Sequence, residues 1–270
     1  MQNRIYSLDS AKAIKAIEYG YLNAIHYGAP HKQAGKGNLC SHASPACIAA
    51  CLGWTSGQAG MVANDNDINS VRQSRIDKMV RFMTERAAYM WDMALSTALA
   101  YRKARKLKLK LCARLNGSTD IAWEGIALNI DTKQADHLSK IIGKRIKPGH
   151  YANMFSLFWF IQFVDYTKNH LRLKRALPVN YHLTLSRSEI NEPQCIVALK
   201  SGHNVAVVFG DGLPYSWNGF PVVNGDLHDL RHLDPRGGYV IGLSPKGRKA
   251  KRDRTSGFVV WNSPALALAA

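Results

Sequence analysis

The residues best suited to chemistry are three cysteines that lie within twelve positions, Cys40, Cys47 and Cys51, in the segment GNLCSHASPACIAACLGW. Their C-x6-C-x3-C spacing, bounded by Gly37 and Gly53, places three thiols on one short loop and one helical turn. Three thiolates can bind three corners of an iron–sulfur cluster and leave one iron open. The spacing lies in a loop rich in Gly, Pro, Ser and Ala rather than on a regular apolar face, which favours a metal or cluster site.

Two other interpretations of these cysteines stay open. With His42 added, the set could form a Cys3His zinc site. Small cysteines also crowd tight turns without binding anything. The two remaining cysteines, Cys112 and Cys195, each lie alone in an apolar segment.

The charge of the chain predicts a polyanionic partner. Lys and Arg number 36 against 19 Asp and Glu, a formal net charge of +17. Such an excess favours nucleic acid, because phosphate contacts release counterions, and we expect DNA rather than RNA. The cations cluster in three runs. These are Arg102, Lys103, Arg105, Lys106, Lys108 and Lys110; Lys140, Lys144, Arg145 and Lys147; and Lys246, Arg248, Lys249, Lys251, Arg252 and Arg254.

Composition excludes several classes of protein. At 270 residues, with 46% hydrophobic and 20% charged residues, the chain is typical of a globular protein. No apolar stretch reaches the ~18 residues of a membrane span, and the N-terminus lacks the apolar core of a secretory signal. An odd number of cysteines fits a reducing compartment, so we expect a cytoplasmic protein. Phosphate-loop, Rossmann, zincin and serine-hydrolase motifs are absent from the sequence.

The elements that position these residues are of two kinds. Residues 1–110 predict helices around the cysteine loop: a short helix over 9–20 followed by a loop, a long helix that begins near Ser70 with capping-box spacing to Gln73, and a helix over 87–106. From residue 111, short apolar strands alternate with helices. The predicted strands cover 111–116, 160–165, 181–186, 204–209 and 239–243, and the predicted helices 132–145, 150–157 and 189–201. This alternation indicates a single α/β domain over 1–270, with a barrel-like or partial-barrel, mostly parallel sheet that follows the N-terminal helical and cysteine-loop segment.

Ligands of parallel α/β folds bind where the strands end, so polar residues at those positions are candidates for catalysis. Asn116 and Asp120 follow the first predicted strand, and Asp165 and Lys168 end the second. Asp165 is the strongest candidate, because a carboxylate at the end of an apolar run needs a partner or a task, and Lys168 is a candidate partner.

The basic runs lie at opposite ends of the predicted sheet. The run that begins at Lys246 follows the fifth strand, so we expect Lys246, Arg248, Lys249, Lys251 and Arg252 to contact nucleic acid directly from a mobile loop. The run over 102–110 precedes the first strand and would add only long-range attraction.

A segment rich in Asp and His, GDLHDLRHLDPRGG, admits two interpretations. His228 and His232 are four residues apart, a spacing that aligns two imidazoles for one metal on a helix. Gly225 and Pro235 bracket the segment, which favours a hydrogen-bonded structural loop.

Several segments resemble the phage family labelled gene product eighty-eight, over about residues 20–262. They are LCSHASPACIAACLG, NSVRQSRIDKMVRF, RLNGSTDIAWE, FVDYTK, PVNYHLTLSRSEINE and GFPVVNGDLHDLRHLDP. The family is mostly of unknown function, so the resemblance implies a phage origin and a place in the host cell cytoplasm but no activity.

Two more distant resemblances imply specific chemistry. The SPACIAAC core is similar to three-cysteine motifs of phage proteins that look like remote relatives of radical-SAM enzymes. That similarity implies Cys40, Cys47 and Cys51 as ligands of an iron–sulfur cluster that works with S-adenosylmethionine, although the usual spacing in those enzymes is C-x3-C-x2-C. A weaker similarity, to transglycosylases that install deazaguanine bases, implies Asp120 and Asp165 as their two barrel aspartates.

We therefore expect a nucleic-acid-modifying enzyme with a three-cysteine iron–sulfur site. One alternative is base exchange by the barrel aspartates, with structural cysteines. The other is a non-catalytic nucleic-acid-binding or host-takeover protein.

Overall fold

A computed structural model of the protein describes residues 5–261 and shows a mixed α/β fold with one large, mostly parallel sheet. The strands are β1 (Tyr6–Ser7), β2 (Tyr21–His26), β3 (Lys110–Arg114), β4 (Leu128–Ile130), β5 (Gly149–Tyr151), β6 (Gln162–Thr167), β7 (Tyr181–Ser186), β8 (Val205–Val208), β9 (Ser216–Trp217), β10 (Phe220–Asn224) and β11 (Val240–Leu243). The α-helices are α1 (Ala11–Lys15), α2 (Pro45–Ala49), α3 (Leu52–Thr55), α4 (Ser70–Thr84), α5 (Arg86–Lys106), α6 (Thr132–Ile142), α7 (Met154–Leu157), α8 (Glu192–Lys200) and α9 (Arg248–Arg252). Short 3-10 helices cover Ala16–Tyr19, Gly57–Gly60, Trp123–Gly125, His170–Lys174 and Arg231–Leu233. The ends of the predicted domain, 1–4 and 262–270, lie outside the described residues.

The large sheet has nine strands in the order β1-β2-β3-β6-β7-β8-β11-β10-β9. In this order, the seven strands between β1 and β9 are parallel to one another. At the two edges, β1 pairs antiparallel with β2, and β9 pairs antiparallel with β10. Five of the parallel strands, β2, β3, β6, β7 and β8, are neighbours in the order in which the chain makes them, and β11 then lies between β8 and β10. Because all seven strands are parallel, their carboxyl ends form one continuous edge. Within residues 5–261 no pairing joins β1 to β9, so the sheet is open rather than closed into a barrel.

The five predicted strands correspond to β3, β6, β7, β8 and β11, but the prediction of a loop after residue 20 was wrong. This stretch forms β2, which pairs with β3 from Tyr21 opposite Lys110 to Ile25 opposite Arg114. Its pattern was hidden because the strand is buried on both faces and includes polar residues. One of these, His26, is fully buried between the Leu115 carbonyl oxygen and the Tyr89 hydroxyl, at 2.8 and 2.7 Å.

Two helices also differ from the predictions. α4 begins at Ser70 as predicted, but its N-cap is Asn69, whose side chain accepts a hydrogen bond from the Arg72 amide in place of the predicted capping box between Ser70 and Gln73. The segment predicted as a helix over 150–157 divides into β5, which pairs with β4, and the short helix α7. No helix in the described part of the chain is long and apolar enough to cross a membrane.

The two faces of the sheet carry different layers. Along β3, Leu111 and Ala113 belong to the main core beneath α5, whereas Cys112 packs with Val164 and Leu230 on the other face. This alternation follows from the two-residue period of a strand. The loop between β10 and β11 therefore covers the face opposite α5.

A buried ion-pair network fixes the loop after β3. Arg172, in the 3-10 turn after β6, is 2% exposed. It donates to Asp120 at 2.8 Å, to both Glu124 carboxylate oxygens at 2.8 and 2.7 Å, and to the Tyr181 hydroxyl at 3.0 Å. One guanidinium therefore connects the loop after β3 to β7.

The network continues to the carboxyl group of Asp165 on β6. The Tyr181 hydroxyl donates to Asp165 Oδ2 at 3.2 Å, and the Asn116 amide donates to Oδ1 at 2.7 Å. Burial raises the pKa of Asp165 to about 7, although these donors and the nearby Arg114 and Arg172 lower it. The strand-end residues are thus held by partners on three neighbouring strands.

Replacing Arg172 by Met should lower the free energy of unfolding by about 3–5 kcal/mol, because Asp120 and Glu124 would be left close together without their counterion. Urea denaturation at neutral pH measures this loss. The control is Arg81→Met, since Arg81 pairs with Asp92 and Glu85 at 29% exposure and should cost about 1 kcal/mol or less. Equal losses from the two substitutions would contradict the central role of Arg172.

The raised pKa of Asp165 predicts a pH dependence of stability. The folded protein keeps this proton between the unfolded value of 3.8 and about pH 7, where the unfolded chain has lost it. The contribution of Asp165 to the free energy of unfolding is therefore greatest below pH 4. It decreases by about 1.4 kcal/mol per pH unit as the pH rises towards 7. Asp165→Asn cannot titrate, so its unfolding free energy should lack this fall between pH 5 and 7. Parallel pH profiles of the two proteins would rule the effect out.

Candidate functional site

A cavity of about 240 Å³ lies at the carboxyl edge of the parallel strands. Residues from the ends of β3, β6, β7, β8 and β11, or just after them, line it together with the cysteine segment. The strand-end residues are Arg114, Asn116, Gly117, Ser118, Thr119, Asp120, Tyr166, Thr167, Lys168, Ser186, Val208, Leu243, Ser244, Pro245 and Lys246. This placement agrees with the general position of ligand sites in parallel α/β folds.

All three clustered cysteines line this cavity. Cys47 lies on α2, whose N-cap Ser44 accepts from the Cys47 amide, and Cys51 is the N-cap of α3. Glu189, which follows β7, accepts from the Ser44 hydroxyl at 2.6 Å and from the Ala46 amide at 3.0 Å. A carboxylate from the sheet thus holds the start of the cysteine helix.

A second anchor is the buried guanidinium of Arg72 on α4. It is 1% exposed and donates to the backbone carbonyls of Trp54, Ala59, Asp65 and Asp67 at 2.6–2.8 Å. Four backbone carbonyls of the chain after the third cysteine therefore bind one guanidinium group, which fixes the course of this segment.

The cysteine segment also packs directly on the loop after β3. A side chain at Gly53 would overlap Ser118, so only glycine permits this approach. The Ser118 hydroxyl donates to the Gly28 carbonyl at 2.7 Å, and the Asp120 amide donates to the Leu39 carbonyl at 2.9 Å. The two halves of the cavity wall are thus a single packed unit.

The three thiols are free and half-buried. Burial raises the pKa of Cys40 to about 12 and that of Cys51 to about 11, and it also raises the pKa of Cys47 against the opposing charge of Lys168. Negative charge on Cys51 or Cys47 would raise the pKa of Cys40 further. Among residues 5–261, no three His, Cys, Asp or Glu side chains are arranged to hold a single metal ion. His42 is exposed and bonds to the Ser41 hydroxyl.

The predicted catalytic residues occupy two positions relative to the cavity. Asn116, Asp120 and Lys168 line it. Asp165 is 1% exposed and lies behind the wall, where its partners are Asn116 and Tyr181 rather than Lys168.

Lys168 lines this wall, and its charge lowers the pKa of Cys47 against the effect of burial. Its Nζ donates to the Ser186 hydroxyl and to the Arg187 carbonyl, each at 3.0 Å, and lies 5.2 Å from the centre of the Phe258 ring. Its amide donates to Asp120 Oδ2 at 2.9 Å. Lys168 and Asp120 are therefore both held in defined positions.

Sequence reasoning missed two charged residues of the cavity. Arg114 ends β3, donates to Asp229 at 3.1 Å and lies over the Tyr166 ring at 4.8 Å. Asp226 follows β10 and accepts from the Ser244 amide and from Lys246 Nζ at 2.8 and 2.5 Å. The sequence does contain a signal for Arg114, because this residue interrupts an apolar strand just as Asp165 does. For Asp226 the sequence offers no signal beyond its place in the Asp/His segment.

The basic run after β11 forms the short helix α9 where a loop was predicted, and Ala250 of this helix is buried against the cavity. A second cavity, of about 210 Å³, is lined by Arg248, Lys249 and Arg252 together with Asp65 and Arg72. Lys249 forms a salt bridge with Asp65 at 2.7 Å. Lys251 is exposed and lines neither cavity.

The Asp/His segment forms a hydrogen-bonded loop with one 3-10 turn. Arg231 is fully buried, donates to the Gly225 carbonyl and forms a salt bridge with Asp234 at 3.3 Å. His228 and His232 pack against different tyrosine rings, with centroid distances of 4.4 and 5.0 Å. The two imidazoles thus make separate contacts in the layer that covers the sheet.

No curated protein and no solved structure is significantly similar to this chain. A family model described as Gene product 88 matches residues 5–261. The match includes the cysteine segment, every strand-end residue of the cavity and the basic helix α9. The chain therefore belongs to the Gene product 88 family of phage proteins.

Proposed function

We propose that this protein is a phage-encoded enzyme that modifies nucleic acid, with DNA as the favoured substrate, and that Cys40, Cys47 and Cys51 hold an iron–sulfur cluster. The observation that carries the proposal is the convergence of three free cysteines with the carboxyl ends of five parallel strands in one cavity. The cysteines and the strand ends are far apart in sequence, so the fold itself brings them together.

Three cysteines that line one cavity supply the thiolate ligands that an iron–sulfur cluster needs. In a cluster each thiolate binds a different iron, so the three thiols need not converge on a single point as they would around one metal ion. Bound iron would also offset the burial that now raises the pKa values of these thiols. Such a cluster supplies an open iron for a cosubstrate such as S-adenosylmethionine.

The other cavity residues would orient the target. The charge of Lys168 acts on Cys47, and Lys246 with Asp226 forms a charged pair in the cavity wall. The cations of α9 would hold the phosphate backbone of the substrate next to the cavity. We also infer that the sheet curls as a partial barrel, since five consecutive parallel strands in chain order, β2, β3, β6, β7 and β8, would bring these groups towards a common axis.

Base exchange by an aspartate finds less support in this geometry. An attacking carboxylate needs an oxygen that faces the substrate. Asp165 does not line the cavity, and both carboxylate oxygens of Asp120 are engaged, one by Arg172 and the other by the Lys168 amide. These carboxylates serve to position the strand-end loop. Free cysteines suit a reducing compartment, so we place the activity in the host cytoplasm.

Protein purified without oxygen, or reconstituted with iron and sulfide, should be brown and contain about four irons per chain for a cubane cluster. The triple variant Cys40→Ala/Cys47→Ala/Cys51→Ala should bind none. The matched control is Cys112→Ala/Cys195→Ala, which removes the two fully buried cysteines outside the cavity and should keep the full iron content. Iron and sulfide analysis gives the result. A colourless protein that carries one zinc would overturn the cluster and leave a structural metal.

The enzymatic proposal predicts a change in nucleoside composition. DNA and RNA incubated with reconstituted protein, S-adenosylmethionine and a reductant should yield, after digestion, a nucleoside absent from samples treated with the triple cysteine variant. Mass spectrometry detects it. Unchanged composition, together with binding that falls steeply as salt increases, would instead identify a non-catalytic nucleic-acid-binding protein.

A further inference from the structure

A large positive surface lies at the end of the sheet opposite the cavity. The basic run at the end of α5 directly precedes β3, and the run after α6 lies beside it, because Arg105 donates to the Ile142 carbonyl at 3.2 Å. Neither run contains an Asp or Glu. The cations of both runs are exposed, and none of them forms a salt bridge with another residue of 5–261.

The basic run beside the cavity differs in this respect. Lys246 is paired with Asp226 and Lys249 with Asp65. Carboxylates therefore offset part of the charge at the carboxyl edge, whereas the charge at the amino edge is not offset in this way. The stronger attraction for a polyanion lies at the amino edge.

An exposed tryptophan lies within this positive surface. Trp159 precedes β6 and is 69% exposed. Its ring meets Phe160 edge-on with a centroid distance of 5.5 Å. Phe160 in turn contacts Tyr101 at 5.1 Å and lies 5.5 Å from Lys144 Nζ. The indole thus packs on Phe160, a ring that contacts Tyr101 of α5 on one side and Lys144 of the second basic run on the other.

We propose that this amino-edge surface binds single-stranded nucleic acid, with a base stacked on Trp159 and phosphates on the surrounding cations. The surface comprises Arg102, Lys103, Arg105, Lys106, Lys144, Arg145 and Trp159. Exposed aromatic rings beside basic side chains are the elements by which proteins hold single strands without reading sequence. An unpaired strand is required, because the bases of a duplex do not offer their faces.

This site is separate from the cavity. The two lie at opposite ends of β6, whose six residues span roughly 20 Å. The surface therefore acts as a second contact for the strand, beyond the proposed function of the cavity. The basic run over 102–110 thereby gains a direct role in binding, in place of the long-range attraction that its position in the sequence predicts.

An anionic membrane fits this surface less well. A peripheral membrane site inserts a continuous apolar face. Here the exposed apolar side chains Leu107, Trp159 and Val179 precede three different strands and lie among at least six cations, so they do not form one continuous apolar face. The exposed indole of Trp159, which packs against Phe160, is suited to stacking with a nucleic-acid base.

Fluorescence anisotropy with a labelled 20-nucleotide oligo(dT) tests the proposal. Trp159→Ala should weaken binding by at least about fivefold, and Trp159→Phe should retain most of the affinity. The control is Tyr215→Ala, which removes a still more exposed ring near the outer strand β9 and should leave binding unchanged. Trp159→Ala removes no charge, so the slope of log affinity against log salt should stay at the wild-type value. Arg102→Ala/Lys103→Ala/Arg145→Ala should reduce that slope by about 0.7 for each phosphate that the variant no longer neutralises.

Three results would overturn the inference. Trp159→Ala could bind oligo(dT) as the wild type does, it could lose the same affinity for a duplex of equal length, or it could lose binding to phosphatidylserine vesicles alone, which would identify a membrane surface. The test is independent of the cavity, because the triple cysteine variant should bind oligo(dT) normally. Failure of the nucleoside assay would therefore leave this surface intact, and loss of the surface would leave the cluster proposal intact.

Discussion

The buried guanidinium of Arg172 is the interaction on which the architecture of the site depends. It has almost no exposed surface, and its donors are divided between two carboxylates and a phenol that come from different parts of the sheet. Moving the loop after β3 would leave a buried charge without its partner, which costs far more than the loss of an exposed ion pair. The loop is therefore fixed in one position, and with it Asn116 and Asp120 at the cavity wall.

The cysteine segment is positioned by this same loop. It precedes the loop by more than sixty residues in the chain, yet it packs against it where Gly53 meets Ser118 and where the Asp120 amide bonds to the Leu39 carbonyl. Glu189, after β7, holds the start of α2 from the other side. The thiols thus face the strand ends because the loops after β3 and β7 both bind the segment that carries them. A cluster bound there would lie against polar groups that the sheet already holds in place.

The two ends of the parallel sheet carry different kinds of charge. At the carboxyl edge, Lys168 is partnered by Ser186 and Lys246 by Asp226, which suits groups that orient a bound molecule in a confined space. At the amino edge the cations are exposed and surround the Trp159 ring. Unpartnered charge favours capture of a long polyanion, since released counterions supply the free energy. In the function we propose, capture and chemistry at opposite ends would allow one strand of nucleic acid to be held while the cavity remains accessible.

The sequence by itself determined the features that depend on neighbouring residues. The apolar runs of β3, β6, β7, β8 and β11, the helical periods of α4 and α5, and the spacing of the three cysteines are local patterns, and each could be read without knowledge of the fold. Only the tertiary structure decided the features that depend on pairing between distant segments. β2 is a strand because β3 pairs with it, Asp165 turns away from the cavity because Asn116 and Tyr181 bind it, and Arg114 reaches the cavity because Asp229 lies across from its strand. A local pattern can show that a charged side chain will end a buried strand. Which partner satisfies that charge, and so whether the side chain faces a ligand or the core, depends on contacts between residues that are far apart in the chain.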